Sequence, residues 1–217
     1  MADATDAATQ QQILLFMTTE HSALQTARSS TIQEANGRAS LFLTSVSSAT
    51  VALAFVGQIT QLSERFLLFG LILLPCVYFI GAVTFMRAVQ VAIEDMVHAR
   101  GIARIRHYYV ELAPSMLRYL IHSIHDDYLG MLDDLNLKPS AWQSFMTTSG
   151  MVSVINGVIA AVFTGLVVEA VDGSTMAAPI LLGIVAFVVS VFLFRRFQIR
   201  SWVAAEQRLT VLFPSSQ

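Results

Sequence analysis

Four stretches of this chain contain no Asp, Glu, Lys, Arg or His: Ala39–Ile59, Phe66–Met86, Gly150–Val168 and Met176–Phe194. Each is 19 to 21 residues long, and about 20 helical residues cross a hydrocarbon core of roughly 30 Å. Nothing else in the sequence limits the possible folds so sharply. Only 13% of all residues are charged, whereas a water-soluble domain carries about 25%. The expectation is an all-α polytopic membrane protein with four transmembrane helices.

Charge orients these spans, because cytoplasmic loops retain Lys and Arg. Of the 13 basic residues, 12 lie on one side: Arg28 and Arg38 before span one, then Arg87, Arg100, Arg104, Arg106, Arg118 and Lys138 between spans two and three. Arg195, Arg196, Arg200 and Arg208 follow span four. Only Arg65 falls in an outer turn, Thr60–Arg65, and the second outer turn, Glu169–Thr175, is acidic. Both termini are therefore expected in the cytoplasm, in a multi-pass protein of the inner (plasma) membrane. The acidic, polar start MADATDAATQQQ lacks the basic region of a cleaved signal peptide, so span one reads as a signal anchor. Cys76 has no second cysteine to pair with and reads as a packing thiol.

The division gives five segments: an N-terminal helix in 1–38, spans one and two in 39–86, a cytoplasmic helical segment in 87–149, spans three and four in 150–194, and a tail in 195–217. Ile13, Met17 and Leu24 recur at helical spacing in the first segment, with Gly37 as the expected bend. Val89, Ile93, Met96 and Val97 carry the 3.6-residue period of span two onward. Gly101 and Pro114 are the expected breaks. A second helix is expected from Ser115, with Leu117, Leu120, Ile121, Ile124 and Leu129 on its apolar side, making a cytoplasmic helical hairpin. Asn136 to Pro139 reads as a turn and Ser140 as the N-cap of the helix entering span three. Within this segment Arg100, Arg104 and Arg106 precede Asp126, Asp127, Asp133 and Asp134. The basic half is placed to face the acidic half, in the same chain or a neighbouring one.

Two spans carry polar faces. At 100° per residue Ser40, Thr44, Ser47, Val51, Ala54 and Gln58 share one face of span one, while Phe42, Val46, Leu53 and Val56 share the opposite face and suit lipid. In span three Ser153, Asn156, Gly157, Ala160 and Thr164 fall in a narrow arc. Such faces either line a wet path or pack closely against another helix, and a membrane-embedded Asn seeks an interhelical hydrogen bond. Ser40, Thr44, Ser47, Gln58, Ser153, Asn156, Gly157 and Thr164 are thus the candidate pore or helix-packing residues. Arg100, Arg104 and Arg106 are the candidate contacts for a cytosolic protein or an anionic ligand.

The run His122-Ser-Ile-His125-Asp126 has metal-ligating residue types, but zinc needs three or four converging ligands and this spacing matches no metalloprotease pattern. No Gly-rich phosphate loop, nucleophile elbow or paired-acid signature is present, so no enzyme, catalytic residue, cofactor or metal is expected. The cytoplasmic charges balance at twelve of each sign, which argues against nucleic acid as a partner. Trp142 and Trp202 sit where aromatic anchors are expected at span ends.

In layout, four spans, an N-terminal helix leading into span one and helical cytoplasmic mass, the chain resembles the small bacterial membrane effectors called SLATT and S-4TM. The resemblance implies a membrane effector of nucleotide-signalled defence and assigns no functional residue. Two functions are in view. One is a homo-oligomeric, channel-like or membrane-permeabilising protein controlled from the cytoplasm. The other is a membrane scaffold recruiting a cytosolic partner through residues 87–149.

Overall fold

The computed structural model describes residues 2–134, 143–171 and 177–215, with side chains from residue 8 onward and not at residues 143 and 144. Its helices are α1 (Ala2–Thr60), α2 (Glu64–Leu112), α3 (Tyr128–Asp134), α4 (Gln143–Met146), α5 (Thr148–Val171) and α6 (Ala177–Arg208), with a 3-10 helix at Pro114–Tyr119. There is no strand among the described residues. Four helices, α1, α2, α5 and α6, are long and apolar enough to cross a membrane.

The chain forms two compact units. Unit 1 comprises Met1–Gln33, Val91–Pro139 and Glu206–Gln217; unit 2 comprises Glu34–Gln90 and Ser140–Ala205. Unit 2 holds the apolar lengths of the four long helices. Its core is set by glycines that let large side chains approach a neighbouring backbone. At Gly81 in α2, a Cβ would stand 2.0 Å from the Asn156 Oδ1 of α5 and 2.6 Å from the Phe42 ring of α1. Gly183 in α6 brings that helix against the Ala161 carbonyl of α5. Phe85 of α2 packs at 4.6 Å from Phe194 and 6.1 Å from Phe197, both of α6, distances suited to tilted aromatic pairs.

α1 ends in a Schellman arrangement, with Leu62 N–H donating to the Gly57 carbonyl at 3.1 Å. Gln61 and Leu62 adopt positive φ, 52° and 59°, a conformation that glycine takes far more readily. Pro75 lies inside α2 and removes one backbone donor from its ladder.

Unit 1 is held by polar contacts as much as by apolar ones. Arg28 of α1 forks onto Asp95 of α2 at 2.8 and 3.1 Å, and the His21 ring stacks parallel to Tyr109. Met96 and Ile102 are buried. α2 does not break at Gly101; there the missing side chain admits Leu24, whose Cδ1 would lie 2.9 Å from a Cβ. Similarly, α1 stays helical through Gly37.

The helix expected from Ser115 does not form. Pro114 opens a 3-10 turn, residues 120–127 have no helix, and α3 spans only Tyr128–Asp134. Aspartate side chains compete here with the helical backbone ladder: Asp134 accepts from Ser123 N–H, and Asp127 accepts from Gly130 N–H at 2.8 Å, capping α3. The expected turn at 136–139, the Ser140 cap and Trp142 lie outside the described residues.

Candidate functional site

The two polar faces have opposite fates. On α1, Ser40, Thr44, Ser47, Val51, Ala54 and Gln58 are all exposed, turned away from unit 2's own core. The face expected to meet lipid points inward instead: Phe42 is 0% exposed, and Val46, Leu53 and Val56 are half-buried. Gly81 causes this reversal, because its missing side chain leaves a hole that the Phe42 ring fills. Sequence periodicity places both faces correctly but cannot tell which one has a neighbour.

Three hydroxyls on or beside this face are internally satisfied. Thr44 donates to the Ser40 carbonyl, Ser45 to Leu41 and Thr50 to Val46, each at 2.9 Å. No donor on these three side chains is left bare, and their hydroxyl lone pairs stay available to water. Ser47, Ser48, Val51, Ala52 and Phe55 line an open groove along it.

On α5 the polar arc is absorbed within unit 2. Ser153, Asn156 and Gly157 are buried, and Thr164 is half-buried. Asn156 Nδ2 donates to the Tyr78 carbonyl of α2 at 3.3 Å, the interhelical bond its position in a span calls for. Its Oδ1 is buried without a hydrogen-bond partner and rests against Gly81. Gly157 admits Phe187 and Val191 of α6. Tyr78 also pairs its hydroxyl with Ser190 of α6 at 3.2 Å. These are packing contacts.

The three candidate anion-contact arginines are engaged inside unit 1, not displayed. Arg100 is 2% exposed and its Nη2 bonds Glu206, while its Nε and Nη1 are buried without partners. Arg104 donates to Asp126 at 2.7 Å and to the Thr210 carbonyl. Arg106 lies 3.6 Å from Asp134. The basic and acidic halves of segment 87–149 therefore meet within one chain, as their charges suggest. Burial lowers the Arg106 pKa, partly offset by Asp134.

Asp126 is drawn away from the suspected metal run. Its carboxylate, 0% exposed, accepts from Leu212 N–H at 3.1 Å and Phe213 N–H at 2.8 Å besides Arg104. Burial pushes its pKa up, but these donors outweigh burial and the net shift is downward. His122 is exposed, 3.7 Å from Asp134. No group of three or more metal-ligating side chains converges among the described residues.

Sequence reasoning missed the partners of these charges. Glu206 and the Thr210–Ser215 segment are far along the chain from residues 100–127, and no local pattern signals the pairing. Another unforeseen feature is a run of exposed apolar side chains beside Arg118: Met116, Leu117, Tyr119 and Ile121, the last 96% exposed. No family model matches this chain, and comparison with curated proteins and with solved structures finds no match.

Proposed function

We propose that this chain is an integral protein of the inner (plasma) membrane that assembles with copies of itself and opens a channel-like path under control of unit 1, with both termini in the cytoplasm. The observation that carries this reading is the outward-facing hydroxyl stripe of α1. A protomer alone in lipid has no use for such a face, since exposed leucines and phenylalanines elsewhere on the spans suit acyl chains better. Small side chains let two backbones approach, and hydroxyls solvate a wet path. Packing of α1 against α1 around an axis uses both properties. The buried polar arc of α5 then belongs to the scaffold, not the path.

Reconstitution in liposomes tests the proposal. Ion or solute efflux is expected from the oligomer, with Thr44→Leu or Ser47→Leu lowering it several-fold at unchanged helicity. Absence of flux from an intact oligomer under every condition applied to the cytoplasmic side would overturn the channel reading.

A second reading, a scaffold recruiting a cytosolic protein through residues 87–149, is favoured by the exposed Met116, Leu117, Tyr119 and Ile121. These residues lie outside the apolar spans, so lipid does not account for them. The internally paired arginines are poor candidates for that docking. Replacing Leu117 and Ile121 with Ser is expected to abolish partner capture under the scaffold reading and to leave efflux unchanged under the channel reading.

A further inference from the structure

The segment after α6 is held in unit 1 through its backbone together with one aromatic ring and one hydroxyl. Arg104 donates to the Thr210 carbonyl. The Asp126 carboxylate takes the N–H groups of Leu212 and Phe213, and Asp126 N–H returns a bond to the Phe213 carbonyl at 3.2 Å. Asp127 takes the N–H of Ser215 at 3.0 Å and its hydroxyl at 2.5 Å. Pro214, which has no N–H, falls between the two carboxylates, so the donor pattern of the segment matches the acceptor pattern of the cleft.

One side chain enters. The Phe213 ring stacks on His107 at 3.7 Å between centroids and 18° between planes. Val211 and Leu212 remain exposed. The cleft therefore reads an extended backbone, one aromatic ring and one hydroxyl, as peptide-recognition sites do. The hold thus combines these polar bonds with a single ring stack.

We propose that His107, Arg104, Asp126 and Asp127 form a peptide-binding cleft whose resident is Thr210–Ser215, and that its exchange partner is the same segment of a second copy. An identical segment reproduces every bond, so exchange costs only the linking geometry, as in domain swapping. The exchange rests on the homo-oligomeric reading above; the cleft itself does not. Exchange would join the units 1 of neighbouring copies, giving the assembly a contact outside the spans.

Two measurements on the full-length chain test this. First, a fluorescent peptide of residues 209–217 is titrated into wild-type protein and Phe213→Ala protein in detergent. The variant, whose own segment has lost its ring, is expected to bind at least 10-fold more tightly, and a peptide with Phe213 replaced by Ala is expected to bind neither. Saturable binding absent from both proteins, or equal in both, overturns the cleft. If Phe213→Ala does not fold, Ser215→Pro, which removes the Ser215 N–H and hydroxyl bonds to Asp127, replaces it with the same expected direction. Second, isotopically heavy and light proteins carrying Phe213→p-benzoylphenylalanine are mixed and irradiated. Heavy-to-light crosslinks at the 107–127 region are expected; only same-isotope crosslinks would overturn exchange while leaving the cleft and the α1 interface standing.

Discussion

α1 and α5 each carry a polar stripe, yet one faces outward and the other is buried. The difference comes from glycine placement on their neighbours. Gly81 of α2 accepts Phe42 and Asn156 together, so α5 turns its polar arc inward and α1 turns its apolar face inward, leaving the hydroxyls outside. A polar stripe in a span is therefore ambiguous by itself. What decides its role is whether the same chain already covers it.

The strongest way to break this contrast is to fill the hole. Gly81→Leu forces a side chain into space held by Asn156 Oδ1 and the Phe42 ring, and overpacking of this kind costs about 1–3 kcal/mol or more. The expected outcome is loss of the folded bundle at lower denaturing-detergent concentration, read by circular dichroism. A stability equal to wild type would mean that α1 and α5 are not set by Gly81. By contrast, Thr44→Leu on the exposed stripe should change protomer stability by only about 0.5 kcal/mol in either direction, while altering assembly and efflux.

Asp126→Ala tests whether unit 1 depends on one buried carboxylate as unit 2 depends on one glycine. It strands the Leu212 and Phe213 donors and one Arg104 bond, and each unsatisfied buried group costs about 1–3 kcal/mol. Faster hydrogen exchange at both amides is the expected readout, with α5 and α6 unaffected. Exchange spreading through α5 would contradict the separation into two units.

A smaller effect concerns Glu34, held at about 2 against an ordinary value of 4.5 by hydrogen bonds from Arg87 and Arg38. Its folded-state pKa is depressed, so its ion-pair contribution is present above the unfolded value and lost as pH falls through the window between the two. The stability difference between wild type and Glu34→Gln should therefore shrink from about pH 5 toward pH 2. A difference independent of pH would remove that ion pair from the account. Another small change is Gln61→Gly, which relieves a positive φ at the end of α1 and should stabilise by up to about 1 kcal/mol in the same denaturing titration.

The four apolar helices were legible because charge-free runs of about 20 residues have few alternatives. That the basic stretch would meet the acidic one followed from charge order, but the pairs Arg104–Asp126 and Arg106–Asp134, and their lying within one chain, did not. The absence of a helix from Ser115 was not legible, since the leucine spacing there is helical while aspartates 127 and 134 accept from loop amides. The inward turn of Phe42 was hidden for a different reason: it depends on Gly81, a residue on another helix with no sequence mark of its role. Likewise, nothing near Asp126 announces that residues 212 and 213 will reach it.

The central claim is that the hydroxyl face of α1 meets the same face of another copy. Single cysteines placed by Ser47→Cys or Ile184→Cys, in a chain with Cys76→Ser, test it by oxidative crosslinking in native membranes. Both positions are exposed on the protomer, so exposure alone does not separate them. The account predicts covalent dimers from Ser47→Cys and few from Ile184→Cys. Dimers from Ile184→Cys with none from Ser47→Cys would contradict it.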